Sequence, residues 1–218
     1  MSVVWTAVLT ACRDGERPES ASVDRALDEL AARGLSEDTA RKLRQIRNLS
    51  ARTQSVAARL ALVRAIAGEG GVYSFDDLLP HNEASAQALC GLAADEQGAP
   101  YLAGGVCAIS LSHCENMAIA VCTDDGHIGV DVEPLGRRVS CAEDMAKRYF
   151  SPDEYREWQA GGGDDAHLLG IWTRKEALGK ALGLGLAHIG ELDTTRAENA
   201  TFSEISLEGV VITVCQIK

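Results

Sequence analysis

The run Ile128-Gly129-Val130-Asp131-Val132-Glu133 constrains the chain more than any other segment, because it alternates apolar and non-apolar residues without a break. Side chains two apart on a strand share a face, so Asp131 and Glu133 point one way and the valines pack behind them. Pro134 ends the strand, since it has no amide proton to donate to a ladder. Met117 to Thr123 also reads as a strand, and Asp125-Gly126 between the two runs is a hairpin signal. On this reading the carboxylates sit at the open end of a hairpin.

Further on, Trp172-Thr173-Arg174-Lys175-Glu176-Ala177-Leu178-Gly179-Lys180 reads as a helix that Gly183, Gly185 and Gly190 break. Trp172, Glu176 and Lys180 are spaced by four and share one face. A helix packed across the strand end brings Glu176 to Asp131 and Glu133. Hard carboxylate oxygens of that kind suit magnesium, and Lys175 and Lys180 are placed to hold a pyrophosphate beside it. Taken singly, an Asp-x-Glu is an ordinary solvated strand face and a Glu–Lys pair an ordinary surface ion pair. Their joint occurrence with Ile109-Ser110-Leu111-Ser112-His113-Cys114 is what sets them apart.

These segments together resemble the surfactin-synthetase-type 4′-phosphopantetheinyl transferases. The signature is a Ser-His pair after a short strand, a Gly-x-Asp-x-Glu strand and a Trp-x-x-Lys-Glu-Ala/Ser-x-x-Lys helix. Here these are Ser112-His113, Gly129 to Glu133 and Trp172 to Lys180, with Ala146 to Tyr155 matching the segment between the last two. The match is dense from about residue 98 to 186. The resemblance implies an α/β (α+β) fold of two similar lobes forming a pseudo-dimer, residues 1–105 and 106–218, with the active site between them. It implies transfer of the phosphopantetheine arm of coenzyme A to a serine of an apo acyl or peptidyl carrier protein, with release of 3′,5′-adenosine diphosphate.

Carried over by position, Asp131, Glu133 and Glu176 would bind Mg2+. Glu176, or a water held by the cluster, would take the serine proton. Lys175 and Lys180 would hold the pyrophosphate, Lys180 steadying the leaving phosphate. Ser112 and His113 would meet the adenosine end. Two departures stand out: Gly98-Ala99-Pro100 replaces a Gly-Lys/Arg-Pro turn, and Ser55 stands where an arginine is frequent, with Arg52 able to substitute. They bear on coenzyme A binding more than on the chemistry, and the Gly98-Ala99-Pro100 turn is the support for the alternative, a catalytically degenerate coenzyme A or carrier-protein binder. A magnesium-dependent diphosphate hydrolase is a third reading.

Composition narrows the class. A net charge of −11 disfavours a nucleic-acid binder, and no apolar run is long enough to span a membrane. The start of the chain lacks a basic region followed by an apolar one, so no signal peptide is expected. The seven cysteines are odd in number and form no Cys-x-x-Cys pair, which fits reduced thiols in the cytoplasm and no zinc site. In the resembled family long chains with both lobes are monomeric pseudo-dimers, so the resemblance implies a monomer at this length. Within the acidic total, residues 39–68 contain no Asp or Glu and carry Arg41, Lys42, Arg44, Arg47, Arg52, Arg59 and Arg64. That basic run suits an anionic partner, with Lys42 and Arg52 as the preferred phosphate contacts; an amphipathic helix with arginines facing water is the plain alternative.

The remaining expectations are local. Val3 to Leu9 reads as an opening strand, and Val23 to Arg33 as a helix. Ser36 caps the next helical stretch, which is one long helix or two. Ser74 to Leu79 starts a turn or short helix, and Val106 to Leu111 is a strand. Ser140 with Glu143, and Ser151 with Glu154, form capping boxes. Thr201 to Ile205 and Val210 to Ile217 close a hairpin around Glu208-Gly209.

Overall fold

The computed structural model describes residues 3–96, 98–105, 107–207 and 209–218. Val106 and Glu208, expected at a strand start and in the closing turn, lie outside the described residues. The chain is mixed α+β and divides into two compact units, Met1–Asp125 and Gly126–Lys218.

The first unit is built on strands β1 (Val4–Leu9), β2 (Gly71–Tyr73), β5 (Ala108–His113) and β6 (Met117–Thr123), in the order β2-β1-β6-β5. Only β1 and β2 run parallel. Between them in sequence come α1 (Ser20–Ala31), α2 (Glu37–Arg44), α3 (Leu49–Ile66), the short α4 (Glu83–Ala86), and a separate pair, β3 (Leu92–Ala94) and β4 (Pro100–Leu102). Ser36 caps α2 by accepting from the Thr39 amide, as expected. The open choice between one helix and two resolves at Asn48, whose side chain accepts from the Ala51 amide and starts α3 afresh. Helix α3 lies on β6, β1 and β5 and is buried almost all round, with Val56, Ala57, Ala61, Leu62, Val63 and Ala65 at zero or near-zero exposure. Each fully buried Val or Leu contributes about 1.5–3 kcal/mol, so this helix anchors the unit. Ser74 to Leu79 forms a turn without helix, tied by the Ser74 amide to Asp77.

The second unit is an antiparallel sheet in the order β7-β9-β8, made of β7 (His127–Pro134), β8 (Ala200–Leu207) and β9 (Val210–Ile217). Three helices, α5 (Ala142–Tyr149), α6 (Pro152–Ala160) and α7 (Asp165–Ala181), and a 3-10 turn (Leu186–Glu191) complete it. The closing hairpin pairs as expected. The capping box at Ser151 and Glu154 is present, with Pro152 in the first turn. The box at Ser140 and Glu143 is not: Cys141, at φ 60°, precedes α5 and makes no side-chain cap.

Two larger expectations change. The Met117–Thr123 and Ile128–Glu133 runs do not form a hairpin. Strand β6 is held between β1 and β5, and β7 pairs with β9, so Asp125-Gly126 joins two units instead of turning one ladder. The hairpin partner of β6 is β5, closed where the Cys114 amide donates to the Met117 carbonyl. Consequently both strands β5 and β6 belong to the first unit's sheet, and the division falls at Asp125/Gly126 instead of near residue 105.

Candidate active site

Gly129 decides the geometry of the second unit. A Cβ there would stand 2.0 Å from the Ala177 carbonyl oxygen and 2.6 Å from the Ala181 nitrogen. With glycine, α7 settles directly on β7. Asp131 and Glu133 share the face of β7 that Gly129 opens to the helix. Glu176 and Lys180, one turn apart on α7, are thereby brought to them. Behind the contact the Thr173 and Thr213 hydroxyls meet at 3.0 Å, joining α7 to β9 at the register partner of Asp131.

Lys180 Nζ donates to Asp131 Oδ1 at 2.8 Å and to the Val130 carbonyl at 2.9 Å, and lies 4.0 Å from Glu176 Oε2. Arg137 Nη1 donates to both Glu133 oxygens, at 2.6 and 2.7 Å. The Glu176 carboxyl is pushed up to about 7: burial contributes most, then the Asp131 charge, against the opposing pull of Lys180. Arg137 is held above its ordinary range by Glu133, with Glu176 and Asp131 adding to the effect. The site is thus an acidic cluster steadied by two cations.

Among the described residues, no group of three His, Cys, Asp or Glu side chains forms a finished metal cage. The donor chemistry nevertheless fits magnesium, which takes few protein carboxylates and leaves other positions to water and phosphate.

Lys175, expected to contact pyrophosphate, is fully buried. Its Nζ donates to Glu154 Oε2 at 2.7 Å and to the Leu192 carbonyl. Glu154 accepts in addition from the Ser151 amide and, through its other oxygen, from the amide and hydroxyl of Thr194. Lys175 lies one residue, about a hundred degrees round the helix, from Glu176, and that rotation turns it into the core. The pyrophosphate role is therefore withdrawn for this lysine.

In the first unit, a cavity of about 610 Å³ is lined by α2, α3, the β3 segment and β5, with Lys42, Arg59, His113, Leu111, Leu92 and Asp38 among its walls. Strand alternation turns Leu111 and His113 toward it, and Ser112 is not among its lining residues. Lys42 reaches the rim but pairs with Asp38 at 2.7 Å. Arg52 is elsewhere: its guanidinium bonds the Ser20 hydroxyl and the Arg44 carbonyl and lies 3.7 Å from Asp24, tying α3 to α1 and α2. The basic run divides: Arg41, Lys42, Arg44 and Arg47 are exposed, Arg52 and Arg59 are half-buried and Arg64 is buried. Arg59, Arg137 and Glu154 carry site or support roles that sequence reasoning did not assign. Arg59 was one of seven similar basic residues, Arg137 lies beyond the strand-breaking Pro134, and the capping box gave Glu154 a sufficient local explanation.

Residues 127–214 match the family model of the 4′-phosphopantetheinyl transferase superfamily. The particular relatives are transferases of that name. The chain is 31% identical over 123 residues to 4′-phosphopantetheinyl transferase AcpT of Salmonella typhimurium, covering 55% of this chain and 64% of that protein. It is 30% identical over 123 residues to AcpT of Escherichia coli K12, covering 55% and 63%. To 4′-phosphopantetheinyl transferase HetI of Nostoc sp. it is 36% identical over 86 residues, covering 38% and 36%. The aligned stretches span less than two thirds of these relatives' length.

Proposed function

We propose that this protein moves 4′-phosphopantetheine from coenzyme A to a serine of an apo acyl or peptidyl carrier protein, releasing 3′,5′-adenosine diphosphate. The observation that carries the reading is the Asp131, Glu133, Glu176 and Lys180 cluster, gathered by the Gly129 contact inside the segment that matches the superfamily. Asp131, Glu133 and Glu176 would hold Mg2+. When bound, the ion neutralises charge on the diphosphate as the phosphorus is attacked. Lys180 would balance the leaving phosphate, since its ammonium already sits among the carboxylates. Glu176, poised near neutrality, would accept the serine proton directly or through a water. The first unit would hold the adenosine end, with His113 and Lys42 on the cavity wall.

The finer reading is an enzyme of the surfactin-synthetase-activating kind, working as a monomeric pseudo-dimer in the cytoplasm. No helix among the described residues is long and apolar enough to cross a membrane.

Intact mass spectrometry of apo carrier protein incubated with this protein, coenzyme A and Mg2+ tests the reading. A mass gain of one phosphopantetheine, abolished by chelator and by Asp131→Ala, is expected. No gain on fatty-acid, polyketide and peptide carriers would leave a coenzyme A or carrier binder; steady coenzyme A cleavage without carrier would indicate a hydrolase.

A further inference from the structure

Cys107 and Cys122 share one face of the first unit's sheet. The β5–β6 register sets Ile109 opposite Cys122 and Ala108 opposite Thr123, so Cys107, just ahead of β5, stands diagonal to Cys122. Strand alternation places Cys107, Ile109 and Leu111 with Ala118, Ala120 and Cys122 in the apolar cluster beneath α3. Cys122 Sγ lies 3.3 Å from the Ala65 carbonyl near the end of α3, and it also hydrogen-bonds the Cys107 sulfur.

The two thiols differ in access and in acidity. Cys122 is buried, whereas Cys107 is half-buried. The hydrogen bond from Cys122 pulls the Cys107 thiol down to about 7, against burial and the nearby Asp124 charge. The same bond, together with burial, pushes Cys122 up, so Cys122 keeps its proton. A reachable thiolate therefore stands beside a protonated thiol. In such a pair one cysteine meets an oxidant and the second resolves the product. Other cysteines are tuned the opposite way. Burial and the Asp76, Asp14 and Glu16 charges raise Cys12, and burial pushes Cys215 up to about 12.

We propose that Cys107 and Cys122 form a modification site, a reversible dithiol that a hydroperoxide closes to an intramolecular disulfide. The Cys107 thiolate attacks one oxygen of hydrogen peroxide, the O–O bond breaks, and hydroxide leaves a sulfenic acid on Cys107. The Cys122 sulfur then attacks the Cys107 sulfur, and the expelled hydroxide departs as water with the Cys122 proton. The first hydroxide takes the proton that Cys107 had released. In total two thiols lose two electrons and the peroxide becomes two waters. A cystine holds its β-carbons about 3.8 Å apart, closer than a diagonal pair in a regular ladder. Cys107 precedes the first ladder pair, so closure draws in the entry to β5 and leaves the register of β5 and β6 intact. It also ends the Cys122 donation to Ala65.

Mass mapping of the full chain after stoichiometric hydrogen peroxide tests the assignment. Cleavage after Glu115 parts Cys107 from Cys122, and a reductant-sensitive link between the two peptides is expected. Cys114 shares the Cys107 peptide, so the link should persist in Cys114→Ser and vanish in Cys107→Ser. Cys122→Ala removes the resolving thiol and should stop at a Cys107 sulfenic acid, trapped by a cyclic 1,3-diketone. At pH 7 iodoacetamide should alkylate Cys107 at least about tenfold faster than Cys12, which is also half-buried, and Cys122→Ala should shrink that margin. Cys107 ending as sulfinic acid with Cys122 still reduced would overturn the pairing. Alkylation of Cys107 no faster than of Cys12 would overturn its part as attacking thiolate, and a link formed only in denaturant would belong to the unfolded chain and overturn the site. None of these readouts depends on carrier modification, so failure here leaves the transferase reading standing.

Discussion

Helices α3 and α7 are the buried backbones of their respective units, and they use buried charge differently. Each lies on an antiparallel ladder and carries one cation sealed inside its own unit. In the first unit this is Arg64, whose partner Glu69 remains partly exposed; in the second it is Lys175, whose partner Glu154 is fully buried. Each helix also presents charge to a candidate site. Helix α7 does so as a balanced set, with Lys180 between Asp131 and Glu176. Helix α3 presents Arg59 with no acidic partner among the described residues. The comparison teaches that a buried charge is a fixture when its own unit neutralises it.

The largest expected effect breaks the fixture in α7. Lys175→Met leaves Glu154 buried without its counter-charge and should cost about 3–5 kcal/mol in denaturant unfolding. Adding Glu154→Leu to it should recover part of that loss. A loss under 1 kcal/mol in the single variant would show that the pair is not sealed.

Next comes the contact that brings α7 to β7. Gly129→Ala forces a methyl into the Ala177 carbonyl, and should cost about 3 kcal/mol while separating Glu176 from Asp131. Carrier modification should fall more than the melting temperature alone explains. Wild-type turnover in this variant would show that α7 need not sit so close.

The site's charge balance is tested by pH. Glu176 titrates near 7 in the folded chain, above the 4.5 of a free glutamate. Between these values the folded state binds the extra proton, so stability is greatest below about pH 4.5 from this group and declines as pH rises through 7. Glu176→Gln should remove that decline, worth about 3 kcal/mol in the metal-free protein. Added Mg2+ should flatten the wild-type profile, and an unchanged profile in the variant would assign the decline to other groups.

The smallest effect is expected at α3's fixture. Arg64→Met should cost about 1.5–3 kcal/mol, below the Lys175 variant, because Glu69 can return to water. Equal losses in the two variants would erase the distinction between the units' sealed cations.

Much of the site was legible beforehand because its signals are local. The β7 alternation, the spacing of Glu176 and Lys180, the Ser36 cap and the Ser151 box each depend on residues within a turn or a few positions. Strand partners were not. Asp125-Gly126 is a sound turn signal, but β6 pairs with β1, far off in sequence, and β7 with β9. Ladder choice depends on which edges the rest of the chain supplies, and no local pattern carries that.

The sequence by itself determined the elements that carry Asp131, Glu133, Glu176 and Lys180 and the faces they occupy, because backbone geometry dictates periodicity. Only the tertiary structure decided what each charge meets. Lys175 and Glu176 are neighbours in the chain, yet one is sealed against Glu154 and the other stands in the carboxylate cluster. Arg64 and Arg59 share a helix, yet one is clamped and the other lines a cavity. The physical reason is that a charge's role depends on its dielectric surroundings and its partners in space, and both are set by packing between segments remote in sequence.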